Sequence, residues 1–200
     1  MNLAKELQEK LGEHDPIDVD ELILDDIFDN VSSLTESNKK DFEKYSNLVH
    51  LSLNGFGLKS LDHFPKLPEL SVLELRGNHL VGKDLGVLVK LYPKLYKLKI
   101  GDNPITSIAS FDSLSESNIN KLELQGTPVA NDKNYRESLF KKIASLDIID
   151  NLTKEGDEVS TTNYDEEMEG GEDQDLEGEE DFDEEDEFEE YDDDEEDDDK

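Results

Sequence analysis

The chain has 200 residues, and its 54 aspartates and glutamates outnumber its 20 lysines and arginines, which gives a formal net charge of −34. A polyanion of this strength repels phosphate backbones and anionic lipid headgroups, which argues against direct binding to nucleic acid or to a membrane. The chain has no cysteine, so disulfide frameworks, thiolate zinc sites and cysteine nucleophiles are excluded. The composition therefore predicts a protein whose partners are positively charged.

The acidic residues are concentrated at the carboxyl end of the chain. Residues 155–200 contain 29 acids and one base, a net charge of −28, whereas residues 1–154 contain 25 acids and 19 bases, a net charge of −6. Only the first segment has enough leucine and isoleucine to bury a core. The sequence predicts a folded domain over residues 1–154 and a disordered acidic tail over residues 155–200.

The amino-terminal segment is predicted to be an amphipathic helix. Leu3, Leu7 and Leu11 recur at helical spacing and Gly12 follows as a helix stop, so a helix over residues 2–11 is expected to cap one end of the core. Charges interrupt the apolar stretch that a signal peptide needs, and no run approaches the roughly 20 apolar residues of a membrane helix. We therefore expect an intracellular chain that does not enter a membrane.

A repeat organises the region that follows. The segments Leu70–Leu80 and Leu95–Ile105 both match the leucine-rich repeat template L-x-x-L-x-L-x-x-N-x-L, with isoleucine replacing two of the leucines in the second. Looser copies begin at Leu48 and Ile119, and a fainter one begins at Val19. The starts at residues 48, 70, 95 and 119 are 22 to 25 residues apart, within the period of this repeat class.

Each copy contains a Leu-x-Leu segment that predicts a short strand, because alternate side chains point to the same face. Asn78 and Asn103 follow two of these strands, where their amides can bond the backbone groups exposed at the turn. Phe56 and Thr127 occupy the equivalent positions of the looser copies. Each unit leaves an apolar face for its neighbour, so the predicted fold is α/β: a short leucine-rich-repeat solenoid with parallel strands on its concave face and helical caps at both ends.

The carboxyl-terminal cap is predicted to be a second helix. The apolar positions with helical spacing are Tyr135, Leu139, Phe140, Ile143 and Leu146. Asn131 or Asp132 would cap the start of this helix. We interpret its aromatic side chains as core residues, because aromatic stripes on helices usually pack inward.

The tail combines long acidic runs with a few aromatic side chains. Its carboxylates repel one another and no apolar face offsets the loss of chain entropy, so it is expected to be disordered in isolation. Such a segment can lie along a lysine- and arginine-rich protein surface, with salt-sensitive, electrostatically steered association. The candidate contacts are the anchors Phe182, Phe188 and Tyr191 and the charges Glu184, Asp186 and Asp193. The alternative interpretation is a solubilising or spacing tail.

The outward positions of the predicted strands form a second candidate site. Its charged members are Glu21, Asp25, His50, Glu74, Arg76, Lys97, Lys99, Lys121 and Glu123. The bases gather toward the later repeats, so the surface is expected to be bipolar. Solenoids use such curved faces for protein recognition, and a solvated face without a partner is the alternative.

Support for an enzyme is weak. His14, His50, His63 and His79 fall on loops or at unrelated repeat offsets, without a metal-ligand pair at i and i+4, and the sequence has no glycine-rich phosphate loop. We interpret the four histidines as surface residues. We therefore expect no catalytic residue, no cofactor and no metal site.

Three short motifs precede the acidic tail in a characteristic order. Lys66-Leu67-Pro68 leads into the repeat at Leu70, a stretch runs from Gly82 through Pro93 to Leu95, and the cap contains Tyr135-Arg136-Glu137. Together with the repeats and the tail, this order resembles the acidic leucine-rich nuclear phosphoprotein family.

The resemblance implies a function as well as a fold. Members of that family are non-enzymatic: they bind core histones, mask them from acetyltransferases or act as histone chaperones, and several inhibit type 2A serine/threonine phosphatases. The chain is thus expected to be a monomeric, nuclear, histone-binding regulator of chromatin that shuttles with the cytoplasm. The alternative is a leucine-rich-repeat adaptor or inhibitor of a type 2A phosphatase, acting through the concave face.

Overall fold

The computed structural model describes residues 3–28 and 31–159. Its central element is a seven-stranded sheet whose strands lie side by side in chain order. The strands are β1 (Glu21–Ile23), β2 (His50–Ser52), β3 (Val72–Glu74), β4 (Lys97–Lys99), β5 (Lys121–Glu123), β6 (Ile148–Ile149) and β7 (Leu152–Thr153). Strands β1 to β6 pair in parallel, and β7 pairs antiparallel with β6.

The leucine at the centre of each repeat strand faces the core. Strand pairing aligns Leu22, Leu51, Leu73, Leu98 and Leu122 in one row, and all five are buried. The flanking residues of each strand point to the opposite side of the sheet, because side chains alternate along a strand. This arrangement confirms the predicted α/β leucine-rich-repeat solenoid with parallel strands on its concave face.

The segments outside the sheet contain short helices. The α-helices are α1 (Leu3–Leu11), α2 (Glu36–Phe42), α3 (Gly86–Leu91) and α4 (Tyr135–Lys142). The 3-10 helices are Pro16–Asp18, Gly82–Asp84, Ile108–Leu114 and Pro128–Asn131. A capping box starts α2, since the Thr35 hydroxyl accepts from the Asn38 N–H while the Asn38 side chain accepts from the Thr35 N–H.

Asn78 and Asn103 join adjacent repeats, as the template predicts. The two side chains are buried, and their amide oxygens accept from the N–H groups of Leu58 and Leu80 in the preceding repeats, both at 2.9 Å. Their amide nitrogens donate to backbone carbonyls of their own turns and of the preceding repeats at 2.8 to 3.3 Å. These polar side chains are tolerated in the core because their hydrogen-bonding groups are satisfied.

Helix α1 covers the amino-terminal end of the core, as predicted. Leu3 and Leu7 are buried, and Leu11 packs against the same cluster. Gly12 follows the last helical residue with a φ of 62°, the left-handed conformation that commonly ends a helix.

The start of helix α4 differs from the prediction. The residue at its N-cap is Asn134, not Asn131 or Asp132. Asn131 ends the preceding 3-10 helix, and the Asp132 N–H closes that helix by donating to the Val129 carbonyl. The expected capping residues are therefore occupied by the turn before α4.

The end of helix α4 also differs from the prediction. The helix ends at Lys142, so Ile143 and Leu146 lie beyond it, although both are buried as the apolar pattern indicated. The next residues form β6 and β7, which extend the sheet as a hairpin and were not predicted from the sequence.

The described chain continues beyond β7 to Val159, and an isolated bridge joins Leu152 to Glu158. The proposed domain boundary between residues 154 and 155 stays a prediction. The tail candidates lie outside the described residues: Phe182, Glu184, Asp186, Phe188, Tyr191 and Asp193. None of the described helices has the length and apolarity that a membrane span requires.

Candidate functional site

The strand register sorts the side chains of the concave face into rows. The first row holds Glu21, His50, Val72, Lys97 and Lys121. The second row holds Ile23, Ser52, Glu74, Lys99 and Glu123. Neighbouring strands lie about 4.8 Å apart, so polar side chains within and between these rows can bond directly.

Glu74 is the centre of a connected polar group. Its carboxylate accepts from Asn54 Nδ2 at 3.1 Å and from Lys99 Nζ at 2.9 Å, and it lies 3.1 Å from His50 Nε2. His50 Nδ1 in turn lies 2.7 Å from Glu21 Oε1. We call the whole group the concave network, and its members are Glu21, Asp25, His50, Ser52, Asn54, Glu74, Lys99 and Glu123.

The contacts of Glu74 keep it ionised. Burial favours the neutral acid, but hydrogen bonds from His50, Lys99 and Asn54 outweigh burial and lower the pKa of Glu74 to about 2. The hydrogen bond to Glu74 raises the pKa of His50, and Glu21 adds to this effect against the opposing effect of burial. A protonated imidazole between two carboxylates can donate to both of them.

Asp25 joins the network through neutral donors. Its carboxylate accepts from the Ser52 hydroxyl at 2.5 Å, from the Asn54 N–H at 3.0 Å and from Asn54 Nδ2 at 3.1 Å. These bonds fix the orientation of Asp25 and leave its negative charge in place. The end of the concave face formed by β1 and β2 is thus anionic.

The network reaches β5 through Lys99. The Lys99 amine lies 3.9 Å from the Glu123 carboxylate as well as 2.9 Å from Glu74. Burial raises the pKa of Glu123, and the charges of Lys99 and Lys97 oppose that rise.

Three predicted basic residues, Arg76, Lys97 and Lys121, are not members of the concave network. Arg76 Nε donates to Asp102 Oδ2 at 2.7 Å, beside the loop that follows β4. The Lys121 amine lies 5.8 Å from the centroid of the Tyr96 ring. Lys97 is only 8% exposed, which differs from the expectation of an exposed basic side chain. Packing by its neighbours thus limits how much of this cation a partner can contact.

A groove crosses the sheet near the amino-terminal ends of strands β1 to β4. It has a volume of about 910 Å³. Its lining residues are Asp20, Glu21, Val49, His50, Ser71, Val72, Glu74, Tyr96, Lys97 and Lys99. The lining is acidic near β1 and basic near β4, and between them Val49 and Val72 alternate with the polar side chains of His50, Ser71 and Glu74. This is the bipolar surface that the order of the repeats predicted.

All nine charged candidates lie on or beside the concave face. The structure brings Glu21, His50, Glu74, Lys99 and Glu123 into one chain of contacts. His50 lies on β2 rather than on a loop; it stays partly exposed, and it bridges Glu21 on β1 and Glu74 on β3. Ser52 and Asn54, two uncharged outward positions of the predicted strands, join the concave network through Asp25 and Glu74.

Asp102 is a contact that the sequence did not indicate. It follows β4 and has a φ of 53°, a left-handed conformation that turns its side chain toward Arg76. Positive φ recurs at this position of every repeat, four residues after the central strand leucine, at Asp26, Gly55, Gly77, Asp102 and Gly126. The recurring glycine could have indicated the turn, but the repeat template does not indicate that Asp102 pairs with Arg76.

The fold and the concave network define a leucine-rich-repeat protein, a class of protein-binding module. A model of the leucine-rich repeat family matches residues 41–164 of the chain. The chain belongs to this family.

A curated relative and a solved structure are also similar to this chain. The acidic leucine-rich nuclear phosphoprotein 32-related protein of Plasmodium falciparum is 37% identical over 154 residues, which are 76% of this chain and 54% of that protein. The resemblance to acidic leucine-rich nuclear phosphoproteins is thus confirmed, although the chain spans about half the length of this curated relative. A chain in the crystal structure of the Drosophila melanogaster SNF/U2A′ complex has a TM-score of 0.55 at 21% identity, covering 74% of this chain and 79% of that one. This likeness shows the fold.

Proposed function

We propose that the protein is a non-enzymatic histone-binding module, a chaperone-like regulator of chromatin. In this proposal the acidic tail supplies charge and the concave face of the solenoid supplies specificity. The partners are basic proteins, core histones above all, and the protein acts as a nuclear monomer that shuttles with the cytoplasm.

The observation that carries the proposal is the separation of charge along the chain. The 46 residues from Glu155 to Lys200 have 29 acids and one base, attached to a repeat domain whose 25 acids and 19 bases nearly balance. A polyanion of this density attracts lysine- and arginine-rich proteins, accelerates their association and loses affinity as salt rises. Core histones are basic proteins of this kind.

The concave network supports a role in recognition. Glu21 and Glu74 lie on β1 and β3 and Asp25 follows β1, and the contacts of Glu74 keep it charged at neutral pH. Fixed charges on a curved face favour a partner with complementary charge and exclude others. The relative named as a nuclear phosphoprotein supports nuclear residence.

The test compares the full chain with a variant of equal length in which the acids of residues 165–199 become asparagine or glutamine. We expect binding of a core histone dimer at physiological salt to weaken by at least about a hundredfold in the variant, because its electrostatic attraction is removed. Isothermal titration calorimetry at two salt concentrations measures both affinities. Equal affinities of the two proteins would refute the proposal.

The mixed-charge groove favours a second candidate, an adaptor or inhibitor of a type 2A serine/threonine phosphatase that acts through the concave face. Its lining offers both signs of charge, together with the apolar side chains of Val49 and Val72, to a folded partner. In that case the tail serves solubility. Inhibition of the phosphatase would then be equal for the full chain and the variant with the neutral tail.

A further inference from the structure

Strand β1 is the first strand of the sheet, and its outer edge pairs with no other described strand. Its inner edge pairs with β2: the Asp20 carbonyl accepts from the His50 N–H, and the Leu24 N–H donates to the Ser52 carbonyl, both at 2.9 Å. Backbone groups of successive residues point to opposite sides of a strand. The N–H and C=O groups of Glu21 and Ile23 therefore point away from the sheet.

Apolar side chains are exposed around this edge. Five large hydrophobic side chains of the described residues are exposed, and three of them lie at this end of the molecule: Ile17 at 53%, Ile23 at 38% and Val49 at 42%. Ile17 is held beside the β2 segment, since Asn47 Nδ2 donates to its carbonyl at 2.8 Å. Exposed apolar groups clustered beside open backbone groups are typical of an interaction surface.

Carboxylates flank the exposed Ile23. Glu21 and Asp25 lie two residues before and after it, so all three side chains face the concave side. Glu21 contacts His50 and keeps more than half of its side chain exposed, and Asp25 is bonded by neutral donors only among the described contacts. A neighbouring strand would meet an acidic, an apolar and an acidic side chain in succession.

We propose that the outer edge of β1 binds an extended segment of a partner protein in which a basic, an apolar and a basic side chain alternate on one face. The segment adds a strand to the sheet by bonding the outward N–H and C=O groups of Glu21 and Ile23. Its basic side chains lie opposite Glu21 and Asp25, and its apolar side chain packs on Ile23. The inference rests on the proposed binding of basic proteins and assigns part of that binding to one place on the solenoid.

Charge favours a basic segment of a partner over the two other segments that could pair with β1. A second copy of the chain would set Glu21 and Asp25 of its own β1 against the same residues, and like charges on paired strands destabilise the pair. The residues from 160 onward carry almost only negative charge and would be repelled in the same way. A segment of a separate, basic protein is favoured on both counts.

The first test is hydrogen exchange of the full chain with two short peptides of equal composition. The peptide TKTITKT puts both lysines and the isoleucine on one face of a strand, and TKKITTT puts its lysines on opposite faces. We expect the first peptide, at about ten times its dissociation constant, to slow exchange of the Glu21 and Ile23 amides about tenfold. The second peptide should leave both amides unchanged. Equal protection by both peptides, or by neither, would overturn the inference.

The second test changes the outward donor. Ile23→Pro removes the outward N–H and keeps the bonds to β2, which come from neighbouring residues, and proline is accepted at an edge position of this kind. Ile23→Thr is the matched control, because it keeps the N–H. By fluorescence anisotropy, the affinity for TKTITKT should fall at least about tenfold in the proline variant and less than about threefold in the threonine variant. Unchanged affinity in a folded proline variant would refute strand addition, and if that variant does not fold, the exchange test decides alone.

Binding of a core histone dimer to the same full-length proteins separates the two proposals. If the wild-type protein binds the dimer but shows no preference between the peptides, only the edge inference fails. If it prefers TKTITKT but does not bind the dimer, the histone proposal fails and strand addition at β1 stands.

Discussion

The two interior repeats close their turns differently from the repeats on either side of them. Asn78 and Asn103 each bond to the backbone of their own turn and of the preceding repeat. At the equivalent positions, Phe56 packs edge to face on Phe28 with ring centroids 5.3 Å apart, and the Thr127 hydroxyl donates to a carbonyl of its own turn at 2.6 Å. All four turn residues are buried.

The difference shows how a solenoid joins its units. An asparagine amide has both donors and acceptors, so one side chain can tie two repeats together, whereas the threonine bond stays within one turn. At the carboxyl end an acid takes over this role. The Asp150 carboxylate accepts from the N–H groups of Leu124 and Gln125 at 2.6 and 3.1 Å and from the Tyr135 hydroxyl at 2.6 Å.

The largest effect is expected from Asn103→Ala. The change leaves the Leu80 N–H and the Ile100 carbonyl without this partner in the core, whereas the Leu75 carbonyl keeps its bond from Asn78 Nδ2. Each unsatisfied buried group is unfavourable by about 1–3 kcal/mol, so we expect the free energy of unfolding to fall by about 4 kcal/mol. Urea denaturation followed by circular dichroism measures the loss.

Asn118→Ala is the control for this prediction. Asn118 also donates to a carbonyl of another repeat, that of Pro93 at 2.9 Å, but its bond is exposed to water. Solvent can replace it, so we expect a loss below about 1 kcal/mol. Equal losses for the two variants would show that the asparagine column has no special role in joining the repeats.

A smaller effect is expected from Tyr135→Phe. Burial and the hydrogen bond to Asp150 raise the pKa of Tyr135, so the hydroxyl keeps its proton and donates to the carboxylate at neutral pH. A bond to a charged group contributes about 1.5–3 kcal/mol, and we expect a loss of about 2 kcal/mol in the same denaturation assay. If Asn103→Ala loses stability while Tyr135→Phe is as stable as wild type, the bond between Tyr135 and Asp150 does not stabilise the carboxyl-terminal end of the solenoid.

Thr127→Val should have a smaller effect still. The shape of the side chain is nearly kept, and only the bond from the hydroxyl to the Leu124 carbonyl is lost. The expected loss is about 1 kcal/mol, since one neutral hydrogen bond is removed. A loss as large as that of Asn103→Ala would mean that the threonine also joins repeats, against the contacts seen.

The fold was predictable from the sequence to the extent that it repeats. Leucine alternation and the asparagine at a fixed offset specify the strands, their parallel order and the buried row, because each unit requires its neighbour. The repeat template does not specify the N-cap residue of α4 or the β6–β7 hairpin. The 3-10 helix Pro128–Asn131 places Asn134 at the cap, and this depends on local hydrogen bonds that spacing does not encode.

The candidate site was predictable as a surface but not as a set of contacts. Alternation placed all nine charged candidates on or beside the concave face, since it depends only on strand direction. The pairs that these charged side chains form depend on how far each side chain extends across the neighbouring strands. Arg76 turns to Asp102 rather than to the acids beside it. His50 lies within reach of two carboxylates because Glu21 is its register partner on β1 and Glu74 is its diagonal neighbour on β3.

His50→Gln tests that bridge, with the smallest effect expected. The hydrogen bond to Glu74 raises the pKa of His50 above its ordinary value of 6.5, so the charged bridge stabilises the fold fully below that value and loses this contribution as the pH rises through the higher pKa of the folded state. Because His50 is partly exposed, the stability difference between wild type and variant should stay below about 1 kcal/mol at pH 5.5 and decrease toward pH 9. In the wild type Glu74, with its pKa of about 2, stays ionised over that range, and the bonds from Lys99 and Asn54 that also lower its pKa are kept in the variant. Denaturation curves at both pH values measure the difference, and one that is constant or grows with pH would show that the imidazole is not a protonated bridge.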